Sequence, residues 1–211
     1  MARIIDISQT LAPDIAVWPG DTPFHPYWVM TMQDGESVNV GSVTMSLHTG
    51  THADAPKHFR NDGASPAEAD LSVYVGRALV VDFSKSLPDS QAITAEHVAQ
   101  IAEQKPERVL FKTGTVVPGA FPKRFASFSP EAAEALAALG VKLIGIDTPS
   151  VDRVDSTTLD SHHLFDKGQI AILENLVLGD VAAGWYELIA LPLKFAEMDA
   201  SPVRAVLRTL D

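Results

Sequence analysis

The chain contains no cysteine. That absence excludes disulfides, thiolate zinc fingers and cysteine nucleophiles together, and it fits a reducing compartment. No run of about 18 apolar residues occurs, so nothing reads as a membrane span. The opening Met1-Ala2-Arg3-Ile4-Ile5-Asp6 lacks the apolar stretch of a signal peptide. A cytoplasmic protein with no membrane partner is expected. Positive charge is also scarce: 16 Lys and Arg stand against 27 Asp and Glu, a formal net charge of −11. The basic residues form no stripe, so nucleic acid is not an expected partner. There is no GxGxxG or Walker loop, and nucleotide binding has no support. Repeats, linkers and low-complexity stretches are missing as well.

What is present suits a globular fold. The chain has 211 residues, 46% of them hydrophobic and 20% charged, which is within reach of one compact domain spanning 1–211. Strands are predicted over Arg3–Ser8, Ser42–His48, Ala78–Phe83, Arg108–Lys112, Val141–Asp147, Ile170–Leu178, Glu187–Leu191 and Val203–Leu207. Residues 12–26, with Trp18-Pro19-Gly20-Asp21-Thr22-Pro23, read as a loop. In Ser42–His48, alternation puts Val43, Met45 and Leu47 on a buried face and His48 on the other. Two helices are predicted. One covers Ala95–Gln104 behind an N-cap at Thr94. The other starts at Ser129-Pro130-Glu131, runs to Leu139 and is ended by Gly140. Strands that mostly follow strands argue for an α/β chain with a strand-rich mixed sheet and a few helices, not a doubly wound fold.

The informative segment is His48-Thr49-Gly50-Thr51-His52-Ala53-Asp54-Ala55-Pro56-Lys57-His58. Three imidazoles and a carboxylate within eleven residues must share one small volume. Imidazole and carboxylate suit Zn²⁺, Mn²⁺ or Fe²⁺, and a site without thiolates follows the catalytic rather than the structural pattern. Glu174 stands in the otherwise apolar Ile170-Ala171-Ile172-Leu173-Glu174-Asn175-Leu176-Val177. A carboxylate buried there must be paired with a cation, either a metal or an Arg or Lys. His25, His97 and His163 read as ordinary surface or helix residues. Asp147 and Asp152 flank a turn and read as structural or supporting groups, with metal contact as the alternative. Lys57 and Lys112 could anchor a carboxylate, but nothing in the sequence singles them out.

The pattern His48-x-Gly50-Thr51-His52-x-Asp54-x-Pro56-x-His58 resembles the signature of the metal-dependent cyclase family of hydrolases. The likeness continues in Trp18–Phe24, in Gly145–Asp152, in Ile172–Asn175, and in Leu191-Pro192-Leu193 with Asp199–Arg204. The nearest members are those that hydrolyse N-formyl-L-kynurenine to L-kynurenine and formate, a step of tryptophan breakdown. The resemblance implies a barrel-like or swivelling β/β/α core and a homodimer. It also implies two divalent metal ions per chain, usually Zn²⁺, held by His48, His52, Asp54, His162 and Glu174, with no organic cofactor. His162 is preferred to His163 for its spacing from Glu174. The implied mechanism is attack of metal-activated water on the formyl carbonyl. An anilide nitrogen leaves poorly unless protonated, so a general acid is needed. His58, beside the ligands in sequence, is expected to carry that proton. Trp18, in its Pro-Gly loop, is either a packed lid residue or a wall of the substrate pocket, and the resemblance implies the second, with the indole stacked on the aryl ring. The alternative within the family is an isatin-hydrolase-like opening of a cyclic amide. A metal-binding protein without turnover is the alternative outside it.

Overall fold

The computed structural model describes residues 2–87, 91–115 and 120–210. Thirteen strands occur among the described residues. They are β1 (Ile4–Asp6), β2 (His25–Met30), β3 (Val40–Thr44), β4 (His52–Asp54), β5 (Val75–Asp82), β6 (Ala92–Ile93) and β7 (Arg108–Lys112), followed by β8 (Ser127–Phe128), β9 (Leu143–Ile146), β10 (Ala171–Glu174), β11 (Gly184–Ile189), β12 (Ala200–Pro202) and β13 (Val206–Thr209). The helices are α1 (Ala95–Ala99), α2 (Pro130–Ala138) and α3 (Asp160–Lys167), with short 3-10 turns between elements.

Nine strands form one mixed sheet in the order β1-β13-β11-β5-β7-β9-β10-β4-β12. The central strands β5, β7, β9 and β10 are parallel neighbours. The flanking strands pair antiparallel. Side chains alternate across the sheet. Leu79, Val81, Val109, Phe111, Ile144 and Ile146 face the helices, where they pack with Val98, Leu136 and Phe165. Ala78, Val80, Leu110 and Leu143 face the other way and share a second cluster with Leu188 of β11, Leu207 of β13 and Ala53 of β4. Strands from both wings meet in that one cluster, so the sheet curls over its own face. Each of the Val, Leu, Ile and Phe side chains contributes roughly 1.5–3 kcal/mol on burial, so the two clusters hold the sheet between them.

Several sequence expectations are corrected. The strand predicted over Ser42–His48 stops at Thr44. Ser46 ends it: its hydroxyl accepts the His48 N–H at 3.2 Å and its carbonyl accepts the Thr49 N–H, a local turn that competes with the ladder. His48 therefore sits in a turn. Val43 is 51% exposed rather than buried, because β3 pairs only with β2 in a separate hairpin. That hairpin also takes His25 and Pro26 out of the predicted loop. Helix α3 lies where none was predicted, with Asp160 in its first turn as its one local start signal. Its N-cap position is Leu159, left-handed at φ 51° with no side-chain cap.

Candidate metal centre

β4 is three residues long and lies between β10 and β12. Its register sets His52 opposite Glu174 and Asp54 opposite Ile172. His52 and Asp54, two apart, share a face. β10 is also parallel to β9, so the site forms where the sheet changes from parallel to antiparallel pairing. Crevices at the carboxyl ends of parallel strands are the usual ligand positions of such sheets. The turn before β4 delivers His48. Gly50 permits that turn at φ 67°, and a Cβ there would lie 2.8 Å from Leu11 Cδ2.

Three imidazoles converge on Asp54. His48 Nδ1 lies 3.2 Å and His52 Nε2 3.3 Å from Oδ1, and His162 Nε2 lies 3.3 Å from Oδ2. Glu174 is adjacent, with Oε2 3.4 Å from His52 Nε2 and Oε1 3.6 Å from His162 Nε2. No Arg or Lys pairs with Glu174 among the described residues. Its Oε1 accepts the Val151 N–H at 2.8 Å. His52, Asp54, His162 and Glu174 are all buried.

The far nitrogen of each ring is held by an oxygen. His52 Nδ1 donates to the Gly50 carbonyl at 2.8 Å. His162 Nδ1 donates to Asp152 Oδ2 at 2.7 Å. His48 Nε2 donates to Asp199 Oδ2 at 3.0 Å. In a neutral ring that placement leaves the lone pair on the nitrogen facing Asp54. Both Asp54 oxygens are buried without a hydrogen-bond partner, although the imidazoles stand within 3.3 Å. Lone pairs thus meet lone pairs, an arrangement that needs positive charge at its centre. Without a metal, protons supply it. Burial opposes charging these rings, but the carboxylates beside them outweigh it once the rings carry the extra proton: Asp199 and Asp54 for His48, Asp54 and Glu174 for His52, Asp152, Asp54 and Glu174 for His162. His48 is pushed up to about 9 and His52 and His162 to about 10. Asp54, despite its burial, is held well below the usual carboxylate range by the same three rings. The ligand atoms of His48, His52 and Asp54 lie within 4.8 Å of one another, as do those of Asp54, His58 and His162. The donor set fits divalent metal binding.

His58 stands in the 3-10 turn Pro56–His58. Its ring centroid is 4.2 Å from that of His48 and 5.8 Å from that of His162. His163, next to His162, is exposed and faces Phe59 instead. His97 caps its own helix, accepting the Thr94 N–H at 3.1 Å. Asp147 takes N–H and O–H donors from Thr113 and Gly114 and ties β9 to the end of β7. Burial pushes it up to about 6 against those hydrogen bonds. Lys112 is bound to Asp82 and to the Gly179 and Val181 carbonyls, so it does not reach the site.

A cavity of about 490 Å³ opens onto His48, His58, His162 and Glu174. Trp18 and Phe121 form its aromatic wall, edge to face at 5.0 Å. A cleft of about 540 Å³ touches Asp54 from another side but none of the imidazoles, so the smaller cavity is where the reactive groups are. Phe121, a lone aromatic in a loop, carries no signal in the sequence, and Asp199 stands there only within the Asp199–Arg204 likeness, with no role assigned to it.

The chain is similar to known proteins in sequence and in fold. The Cyclase family model matches residues 5–153. A kynurenine formamidase from Delftia acidovorans (strain DSM 14801 / SPH-1) is 46% identical over 208 residues, covering 99% of this chain and 98% of that protein. A predicted metal-dependent hydrolase from Bacillus stearothermophilus superposes with a TM-score of 0.84 at 28% identity, covering 99% of this chain and 98% of the other. Isatin hydrolase A from Labrenzia aggregata, bound to benzyl benzoate, superposes with a TM-score of 0.85 at 26% identity, covering 100% and 94%. A catalytic-type donor set on a matching fold, with the family model spanning most of the chain, has one meaning: this protein belongs to the cyclase family, with kynurenine formamidase among its relatives.

Proposed function

We propose that the protein is a single-domain metal-dependent amidohydrolase that cleaves N-formyl-L-kynurenine to L-kynurenine and formate. Asp54 carries this reading: both its oxygens are buried without a hydrogen bond among three oriented imidazoles, on a chain 46% identical to a kynurenine formamidase. His48, His52, Asp54, His162 and Glu174 would hold two divalent ions, with zinc the best match to the donors. When bound, such ions lower the pKa of a water molecule and polarise a carbonyl.

The chain's own groups supply the rest. Trp18 and Phe121 present aromatic faces that suit an aryl ring, and the cavity of about 490 Å³ is in the range for a small-molecule substrate. His58 faces the same cavity. It accepts a proton as the water oxygen adds to the formyl carbon. It returns that proton to the anilide nitrogen as the C–N bond breaks, so the amine leaves neutral. Burial of His52, Asp54, His162 and Glu174 keeps competing water away from the fixed charges.

A homodimer is part of the proposal. The β2–β3 hairpin leaves Tyr27, Trp28, Val29, Met30 and Val43 exposed, Trp28 at 66%, and apolar patches of that kind mark interaction surfaces. A cytoplasmic setting suits a cysteine-free chain in which, among the described residues, no helix is long and apolar enough to cross a membrane.

Metal content per chain, measured beside turnover, tests the reading. Chelation should abolish formylkynurenine hydrolysis, and zinc should restore it as the content approaches two ions per chain. Full turnover in verified metal-free protein would overturn it. The similarity to isatin hydrolase A makes isatin the control substrate, and a preference for isatin would move the function to cyclic-amide opening.

A further inference from the structure

We infer that Asp199 is a positioning residue that ties the His48 imidazole to the His58 imidazole through one carboxylate oxygen. The inference rests on the proposed reading of His58 as the proton carrier. Asp199 Oδ2 lies 3.0 Å from His48 Nε2 and 3.4 Å from His58 Nδ1. The two rings are 4.2 Å apart between centroids, and one oxygen bridges them. The bridge is built by the sheet. The Asp199 carbonyl accepts the Ala55 N–H at 2.9 Å, extending the β12–β4 ladder by one residue. The backbone is thereby fixed beside the turn that carries His58.

The consequence for His58 follows from tautomer chemistry. A carboxylate facing Nδ1 holds the ring proton there and leaves the lone pair on Nε2. No hydrogen bond engages Nε2 among the described residues, and the ring lines the cavity. Asp199 therefore selects Nε2 as the atom that exchanges the proton with substrate and fixes its direction. It does the same service for His48 from the opposite side, orienting Nδ1 toward Asp54. Such outer partners of metal-binding histidines typically matter 10–100-fold in affinity or activity. The Asp199 side chain is 44% exposed, so truncating it leaves no buried hole.

The test combines kinetics with ¹⁵N spectroscopy at saturating zinc. Asp199→Ala should lower kcat on formylkynurenine about 10–100-fold with little change in KM. Asp199→Asn, which keeps an oxygen acceptor, should lose less. In a His58→Asn background, adding Asp199→Ala should cost clearly less than it does alone, because the part of its effect that runs through His58 is already lost and only the part through His48 remains. The ¹⁵N shifts of the His58 ring should show the proton on Nδ1 in the natural protein and move toward Nε2 in Asp199→Ala. Full additivity of the two substitutions, or an unchanged His58 tautomer, would overturn the inference. If the zinc-loaded natural protein did not hydrolyse formylkynurenine, the functional reading would fail by itself, and the tautomer measurement would still decide for or against Asp199.

Discussion

Asp152 Oδ2 lies 2.7 Å from His162 Nδ1, and the same carboxylate caps the helix that carries His162. Its oxygens accept the Ser161 N–H at 3.0 Å and the His162 N–H at 3.2 Å. One acid both starts α3 and aims its imidazole at Asp54. Asp152 is buried, yet its hydrogen bonds from His162 and Ser161 keep it charged. Asp152→Ala is expected to lower stability by about 0.5–2 kcal/mol, the usual worth of a cap. It should also weaken metal binding about 10–100-fold. Denaturation and a zinc-competition titration measure the two effects. Lost stability with unchanged zinc affinity would reduce Asp152 to a helix cap.

The metal-free protein should lose stability as pH rises. His48, His52 and His162 are raised from 6.5 to about 9, 10 and 10 in the folded chain. Above pH 6.5 the folded state then binds more protons than the unfolded state. Their contribution is complete below 6.5 and disappears as pH passes through 9 to 10. Thermal melts of chelated protein from pH 6.5 to 10 should fall steadily. Zinc should flatten the curve, because metal replaces the protons and binds better as they leave. A flat profile in the chelated protein would contradict the charge arrangement around Asp54.

His58→Asn should lower kcat by about 10²–10⁴, the usual cost of losing a general acid–base group, while both metals remain bound. A formate ester of an acidic phenol needs little protonation at departure, so the variant should be less impaired on it than on the anilide. Loss of metal in this variant would make His58 a ligand.

Trp18→Ala should raise KM more than it lowers kcat. Aromatic contact is worth about 0.5–1.5 kcal/mol beyond area burial, or roughly three- to tenfold. Trp18 also packs edge-on against Phe121, so Phe121→Ala should shift KM in the same direction. An unchanged KM in both would remove the aromatic wall from substrate binding.

Gly63 supports the turn that presents His58. A Cβ there would lie 2.3 Å from the Pro56 carbonyl carbon, and the backbone must move to admit it. Gly63→Ala should cost about 1–3 kcal/mol and reduce kcat. Metal content should hold, since His52 and Asp54 precede this turn on β4. Metal content falling in step with kcat would show that the turn and the metal ligands move together.

Much of the site was readable in the chain because its parts are local. His48, His52, Asp54 and His58 lie within eleven residues, and covalent connection alone limits how far apart they can be. Glu174 was readable for another reason: a carboxylate inside an apolar strand has to meet a cation. Helix α3 was not readable. Its cap comes from Asp152 rather than from its own N-cap residue, so the capping side chain and the first-position proline that announced α2 at Ser129 are absent. The projecting hairpin was also missed, because a strand paired only at a surface need not alternate between buried and exposed.

The sequence by itself determined the donor chemistry, the absence of thiolates, the apolar strands and the crowding of the His48–His58 segment. These follow from composition and from short-range periodicity. The tertiary structure alone decided that Asp152 aims His162 and that Asp199 reaches His48 and His58 across 151 and 141 residues. Asp199 meets the two imidazoles because β12 pairs with β4, which is inserted between β10 and β12. Strand order is set by the packing of the whole sheet, which no local pattern encodes.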